Sequence, residues 1–351
     1  MPNPAELLQG ITLESGWFVE ELLVRSATHT GGAFSTSYRL TKPNGDQAFL
    51  KAMDFEGALR ASDPAAQLKF LVDAYVFERE IVELCGTKRL TRIVKAIGSG
   101  KVDSNAVPGL PSKVVQYLIF ELARDGDLRQ SLSSQAQFDL AWTLKCLHEI
   151  FVAAQQLHSN SIAHQDIKPS NVLGCGDDGV KLADLGRAWH PNIAAPHDSM
   201  PFAGARAYAA PESLYKGAIL TEDERRYGAD FYLLGSMVVF MFTGFRTTAC
   251  LISCLSPAHV PKNWGGTYEQ VLPYLEHGFA QVLQMLRISI PNDDLWNEIL
   301  PIVRQMCDPD ISRRGDSLHK NALGSRFQLQ RFISKVYALH VRAKLGKLRA
   351  T

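Results

Sequence analysis

The chain has 351 residues, 46% apolar and 21% charged, the balance of a globular protein long enough for two lobes and unlike that of a disordered one. Its 37 Lys and Arg offset 36 Asp and Glu, leaving a formal charge of +1, which excludes a chain-wide polycation and confines any affinity for nucleic acid or membrane to a local patch. Six scattered cysteines without a Cys-x-x-Cys pair argue against a zinc site and read as buried or inert thiols in a reducing compartment.

The N-terminus shows no basic segment running into an apolar one, so no signal peptide is expected. The first third reads as strands: 18–24, 33–40 and 47–53 are short apolar or β-branched runs, and Pro43-Asn44-Gly45-Asp46 marks a turn between the last two. A helical pattern follows over about 65–85, where Leu68, Leu71, Val72, Tyr75, Val76, Ile81 and Leu84 recur at near-helical spacing. Strand-like runs return at 93–98 and 114–121. Beyond Asp125-Gly126-Asp127 the pattern turns helical: 138–158 is amphipathic, and 231–243 is apolar all round and reads as a buried central helix. Segments 268–288, 295–306 and 327–344 complete a helical second half. The most apolar stretch, 231–242, is too short to span a bilayer and contains Gly235 and Ser236, so the cytoplasm is the expected compartment. A small β-rich lobe, a hinge near 120–126 and a larger helical lobe fit this order.

The sharpest signal is His164-Gln165-Asp166-Ile167-Lys168-Pro169-Ser170-Asn171-Val172-Leu173, after a long helix and before the strand-like Val180-Lys181-Leu182-Ala183. Asp184-Leu185-Gly186 comes next, and Ala210-Pro211-Glu212 farther on. This ordered set resembles the catalytic loop, metal-binding motif and activation-segment end of the eukaryotic-type (Hanks-type) serine/threonine protein kinase superfamily, over roughly residues 20–320. The chain looks like a divergent member, with an activation segment that gives an expectation of a bacterial source. The resemblance implies an α+β, bilobal protein-kinase-like fold. A small antiparallel β-rich lobe with one main helix would occupy 20–122, and a larger, mostly α-helical lobe 123–320. An N-terminal extension, 1–19, and a basic C-terminal helix or tail, 321–351, would flank them.

The implied activity is transfer of the γ-phosphate of ATP, with Mg²⁺ or Mn²⁺, to a Ser or Thr hydroxyl of a protein substrate. Such chemistry asks a protein mainly for positioning and charge neutralisation. By resemblance, Asp166 orients the acceptor hydroxyl and takes its proton, and Lys168 offsets charge on the transferring group. Asn171 and Asp184 supply hard oxygen ligands for magnesium. Lys51, in the apolar run Ala48-Phe49-Leu50-Lys51-Ala52-Met53, matches the lysine that holds the α- and β-phosphates. Its helical carboxylate partner is taken as Glu80, with Glu78 and Glu83 as alternatives, and the long interval from Lys51 to Glu80 implies an insertion near 55–69. Gly31 and Gly32 stand where a fuller glycine loop would cover the phosphates. The hinge residues Glu121 and Ala123 would offer backbone groups to the adenine edge, and Asp127 would reach the ribose. Asp230 would bond catalytic-loop amides, and Glu212 would pair with Arg313 or Arg314.

Several positions depart from the kinase pattern. Gln165 stands where loop-phosphorylated kinases place an arginine, and 187–204 holds a single hydroxyl residue, Ser199. Activity independent of loop phosphorylation is therefore expected. Leu185 replaces an apolar Phe, and Ala205 stands where a hydroxyl residue usually follows Gly204. Lys168-Pro169 still leans toward Ser/Thr specificity. From 317 to 351 there is no acidic residue but eight Lys and Arg. This reads either as a final helix docked on the large lobe or as a basic surface for an acidic partner, nucleic acid or membrane. Two other readings are a pseudokinase scaffold, to which the eroded glycine loop points, and a small-molecule phosphotransferase of the aminoglycoside-kinase type, against which Lys168-Pro169 and Ala210-Pro211-Glu212 argue.

Overall fold

Side chains alternate across a strand with period two, and along Gln47–Met53 (β3) this puts Ala48, Leu50 and Ala52 into one core while Phe49 and Lys51 face the other way. The computed structural model describes residues 3–23, 35–104, 114–133, 137–200, 202–316 and 325–350. Its first sheet contains Phe18–Leu22 (β1), Ser35–Thr41 (β2), β3, Ala96–Asp103 (β4) and Val114–Glu121 (β5), in the order β1-β2-β3-β5-β4 and antiparallel throughout. Gly45, at φ +89°, closes the predicted turn between β2 and β3, where the Lys42 amide donates to the Asp46 carbonyl. Residues ahead of β1 belong to this lobe: Ala5, Leu8, Leu13 and Trp17 pack under the sheet, and the buried Tyr38 hydroxyl donates to the Ala5 carbonyl.

β4 starts later than the apolar run at 93 suggests. Ile93 and Val94 are instead held by the second lobe, with the Val94 amide donating to the Leu182 carbonyl. The interval between Lys51 and its helix contains a short turn, Glu56–Arg60, before Pro64–Thr87 (α1). Asp63 caps α1 by accepting the Ala66 amide, with Pro64 in the first turn, where a missing N–H costs nothing.

The larger lobe is helical: Leu128–Ser133 (α2), Leu140–His158 (α3), Ala229–Thr243 (α4), Thr247–Ser253 (α5), Tyr268–Ser289 (α6), Asp293–Cys307 (α7) and Gln330–Lys344 (α8). A two-stranded hairpin, Val172–Gly174 (β6) and Val180–Leu182 (β7), lies among them. α4 is buried on all sides, as its unbroken apolar pattern requires, and ends at Gly244 in the left-handed region. It approaches α7 so closely that a Cβ on Gly235 would come 2.5 Å from Cys307 Sγ. One large apolar cluster runs from α1 through α3, α4, α6 and α7 to α8. Cys85, Cys146 and Cys307 belong to it as free thiols, and burial pushes each up to about 12.

α8 buries Phe332, Ile333, Val336 and Leu339. His340 Nδ1 lies 2.9 Å from the Ala141 carbonyl on α3. Of its cations, Lys335 and Arg342 pair with Glu298, and Arg331 with Asp316. The chain's own carboxylates and apolar surface thus engage the basic C-terminal helix. No single helix among the described residues is long and apolar enough to cross a membrane.

Candidate active site

The two lobes meet around a cavity of about 360 Å³, within the size range of small-molecule sites. Lys51 enters it from β3. Its Nζ lies 2.7 and 2.8 Å from the Glu78 carboxylate oxygens and 3.2 Å from Asp184 Oδ1, although Asp184 is 133 residues away in sequence. The partner on α1 is therefore Glu78, not Glu80. Two positions along a helix is a rotation of roughly 200°, so Glu78 joins the buried stripe of Leu71, Tyr75, Val82 and Cys85 while Glu80 points to solvent. That stripe was visible in the sequence: positions 71, 75, 78, 82 and 85 follow helical spacing with a carboxylate at the middle place.

Electrostatics in this triad follow from its burial. Burial alone would lower the Lys51 ammonium, but Asp184 and Glu78 outweigh it and hold the group above its ordinary value. The Lys51 charge lowers Asp184 to about 2 against the opposing effect of burial. Burial raises Glu78 despite the pull of Lys51. Asp184 adopts φ +61°, a left-handed conformation uncommon outside glycine.

The catalytic-loop residues form a second cluster. Lys168 Nζ is 2.6 Å from Asp166 Oδ2, and Asn171 Nδ2 donates to the Asp166 carbonyl at 2.9 Å and to Oδ2 at 3.1 Å. The Ala205 amide donates to the other carboxylate oxygen, Oδ1, at 2.9 Å. A backbone N–H thus reaches Asp166 where the sequence lacks a hydroxyl residue. Gly204 permits this approach, because a Cβ there would lie 2.5 Å from the Gln165 carbonyl and 2.6 Å from Asp166 Oδ1. His164 links the clusters: its Nδ1 accepts the Asp166 amide and its Nε2 donates to the Ala183 carbonyl beside Asp184.

Asp230, fully buried at the start of α4, accepts the His164 and Gln165 amides at 2.7 Å each, with His158 Nε2 2.9 Å away. Glu212 forms a bidentate pair with Arg314 at 2.6 and 2.9 Å. Arg313 instead faces Glu276 and Asp310.

The inner cavity wall is apolar, with Phe49 and Phe120 in a tilted pair (ring centroids 6.5 Å apart) and Val94, Leu173 and Leu185 around them. Sequence reasoning missed the Phe49 side chain, although its place two residues from Lys51 puts it on the same strand face. Glu121 and Ala123 line the opening. The Glu121 carboxylate is held by Lys181 at 2.9 and 3.0 Å and its amide donates to the Lys95 carbonyl, so neither is free to face a ligand. Asp127 also lines the cavity, but its carboxylate caps α2 through the Arg129 and Gln130 amides and pairs with the Arg129 guanidinium. Although burial raises it, these bonds hold it below the ordinary carboxylate range. Gly31 and Gly32 lie outside the described residues.

Gln165, where a phosphate-clamping arginine was missed, is not isolated. It donates to the Arg187 carbonyl and accepts from Arg226 Nη1 at 3.0 Å. Arg226, nearly fully buried, also pairs with Asp198 in the activation segment and with Glu222, and lies over the Trp189 ring. A guanidinium does reach this place, from 61 residues farther along the chain.

Fold and site together define a two-lobed phosphotransferase cleft. Residues 31–250, more than half of the chain, match the protein kinase domain, and the chain belongs to the protein kinase family. Among serine/threonine kinases it is 33% identical over 170 residues to a probable receptor-like serine/threonine-protein kinase of Arabidopsis thaliana, covering 46% of this chain and 28% of that protein. It is 31% identical over 204 residues to beta-adrenergic receptor kinase 1 of Mesocricetus auratus, covering 58% and 25%. With 3-phosphoinositide-dependent protein kinase B of Dictyostelium discoideum the identity is 31% over 131 residues, covering 36% and 14%. The chain thus spans less than a third of the length of these curated relatives. The family uses ATP and a divalent metal, and its members are transferases.

Proposed function

We propose that the chain is an active, ATP- and Mg²⁺-dependent protein kinase that phosphorylates serine or threonine hydroxyls. The observation that carries this reading is the Lys51–Glu78–Asp184 triad, closed across the two lobes at 2.7 to 3.2 Å beside the Asp166–Lys168–Asn171 cluster. Glu78 orients the Lys51 ammonium toward the α- and β-phosphates, and the apolar slot between Phe49 and Leu173 takes the base. Asn171 turns its Nδ2 inward to Asp166, and its Oδ1 accepts only a long 3.4 Å bond from the neighbouring Ser170 hydroxyl, which a metal ion could replace. Two hard oxygen donors without a full protein cage fit magnesium, which retains phosphate and water ligands. Bound there, the ion would neutralise phosphate charge. Asp166 orients the acceptor hydroxyl and takes its proton, and Lys168, 2.6 Å from Oδ2, holds that carboxylate in place.

Loop phosphorylation is not required in this reading, because Asp198 already supplies a carboxylate to Arg226. The test is to incubate the protein with γ-labelled ATP, Mg²⁺ and a generic protein substrate, beside the Asp184→Ala variant. Label on the protein with wild type alone supports the proposal. ATP binding without transfer would point to a pseudokinase scaffold, and transfer only to small alcohols or aminoglycosides to a small-molecule phosphotransferase.

A further inference from the structure

The Ala205 amide that touches Asp166 begins a short, partly exposed run of chain that continues to Tyr208. Arg206 follows it immediately and is exposed. Tyr208, two residues on, donates its amide to the Ala205 carbonyl at 2.9 Å. Thr248, near the start of α5, donates its hydroxyl to the Tyr208 and Ala209 carbonyls at 3.1 and 2.9 Å. Arg246, the exposed residue just before α5, lies two residues from Thr248. The fields of Arg246 and Arg129 reach the Tyr208 hydroxyl, although burial keeps that phenol above its ordinary value.

Charge in this neighbourhood is unbalanced. Asp166, Asp127 and Glu212 each have a cationic partner, in Lys168, Arg129 and Arg314. Arg206 and Arg246 have no carboxylate partner among the described residues. Two guanidiniums without a carboxylate partner, one on the residue after the Ala205 amide that reaches Asp166 and one on the residue before α5, raise the local concentration of anionic chains and disfavour cationic ones. They also carry planar donor arrays suited to bidentate carboxylate or phosphate contacts.

We infer that the preferred protein substrate is acidic, with Asp, Glu or a phosphorylated residue flanking the acceptor hydroxyl, and that Arg206 and Arg246 read that charge. The inference rests on the kinase reading above.

The test uses three peptides with one central serine, flanked by glutamate, alanine or lysine. Transfer at low salt is compared for the wild type, Arg206→Ala/Arg246→Ala and Arg206→Glu/Arg246→Glu, and binding of the same labelled peptides is followed by fluorescence polarisation. Wild type should favour the glutamate peptide over the lysine peptide by roughly fivefold to thirtyfold in kcat/KM, the range expected for two exposed ion pairs. The alanine variant should bring the ratio toward one, and the charge reversal should invert it, an outcome that loss of folding cannot mimic. Equal use of all three peptides, or the same ratio in all three proteins, would overturn the inference while leaving the kinase reading intact. If no peptide is phosphorylated, the kinase reading fails; polarisation then decides, since equal binding of the glutamate and lysine peptides also overturns this inference.

Discussion

Glu78 and Glu80 stand two positions apart on α1 in opposite surroundings, one buried against Lys51 and the other in solvent. Glu78→Gln should lower kcat/KM by about a hundredfold, the usual scale for a misplaced positioning group. Glu80→Gln should stay within about twofold, as exposed substitutions do. Equal effects in steady-state assays would dissolve the distinction. Asp184 gives a pH signature. Its folded value, about 2, lies below its ordinary 3.8, so the pair with Lys51 stabilises above that ordinary value and loses its contribution as pH falls toward the folded one. In urea titrations the advantage of wild type over Asp184→Asn, about 1 kcal/mol after allowing for the side chain's partial exposure, should hold at pH 6 and shrink below about pH 4. A gap that does not change with pH would contradict the assignment. Asp166, Lys168, Asn171 and Asp184 were legible because they sit in short stretches whose spacing carries the pattern. The partner of Lys51 was less plain: only the helical stripe 71, 75, 78, 82 and 85 separates Glu78 from Glu80 and Glu83, and no short motif marks it.

The activation segment is an element held by side chains rather than by regular structure. Arg226 binds Asp198, Glu222 and the Gln165 amide group, and Arg225 donates to the Asp198 and Met200 carbonyls. Arg226→Ala leaves these acceptors unmatched and should destabilise the protein by about 1 to 3 kcal/mol, with a fall in kcat/KM. Arg226→Lys should recover little, because a point charge cannot serve three acceptors in a plane. Ser199→Ala should keep activity within about twofold. If it abolished transfer with folding unchanged, as read by circular dichroism, phosphorylation would be required after all. Sequence predicted the missing arginine at Gln165 but not its replacement by Arg226, which no local pattern links to the loop. Strand and helix positions were largely legible from periodicity. β4 was displaced because the chain around Ile93, apolar as any strand, pairs with Leu182 of β7 in the other lobe through the Arg92 carbonyl and the Val94 amide.

At the scale of the molecule, the catalytic loop is fastened to the large lobe through α4. Glu212 and Arg314, both almost completely buried, tie the end of the activation segment to the chain after α7. Removing either partner, as in Glu212→Gln or Arg314→Met, leaves a buried charge uncompensated. Stability should drop by about 3 to 5 kcal/mol, whereas Arg313→Ala, at an exposed site, should cost under about 1 kcal/mol. Thermal denaturation of the three variants separates these cases. The two-lobed order was readable from the change of period along the chain, but the choice between two adjacent arginines required the packed structure. The three buried thiols carry one more consequence. Cys85 sits on α1, Cys146 on α3 and Cys307 on α7, all within one apolar cluster and all kept protonated by burial. A thiolate-seeking dye is thus shut out until that cluster parts. Its labelling rates at the three sites amount to a built-in gauge: simultaneous reaction means the two lobes come apart as one cooperative body, and staggered reaction means they yield in turn.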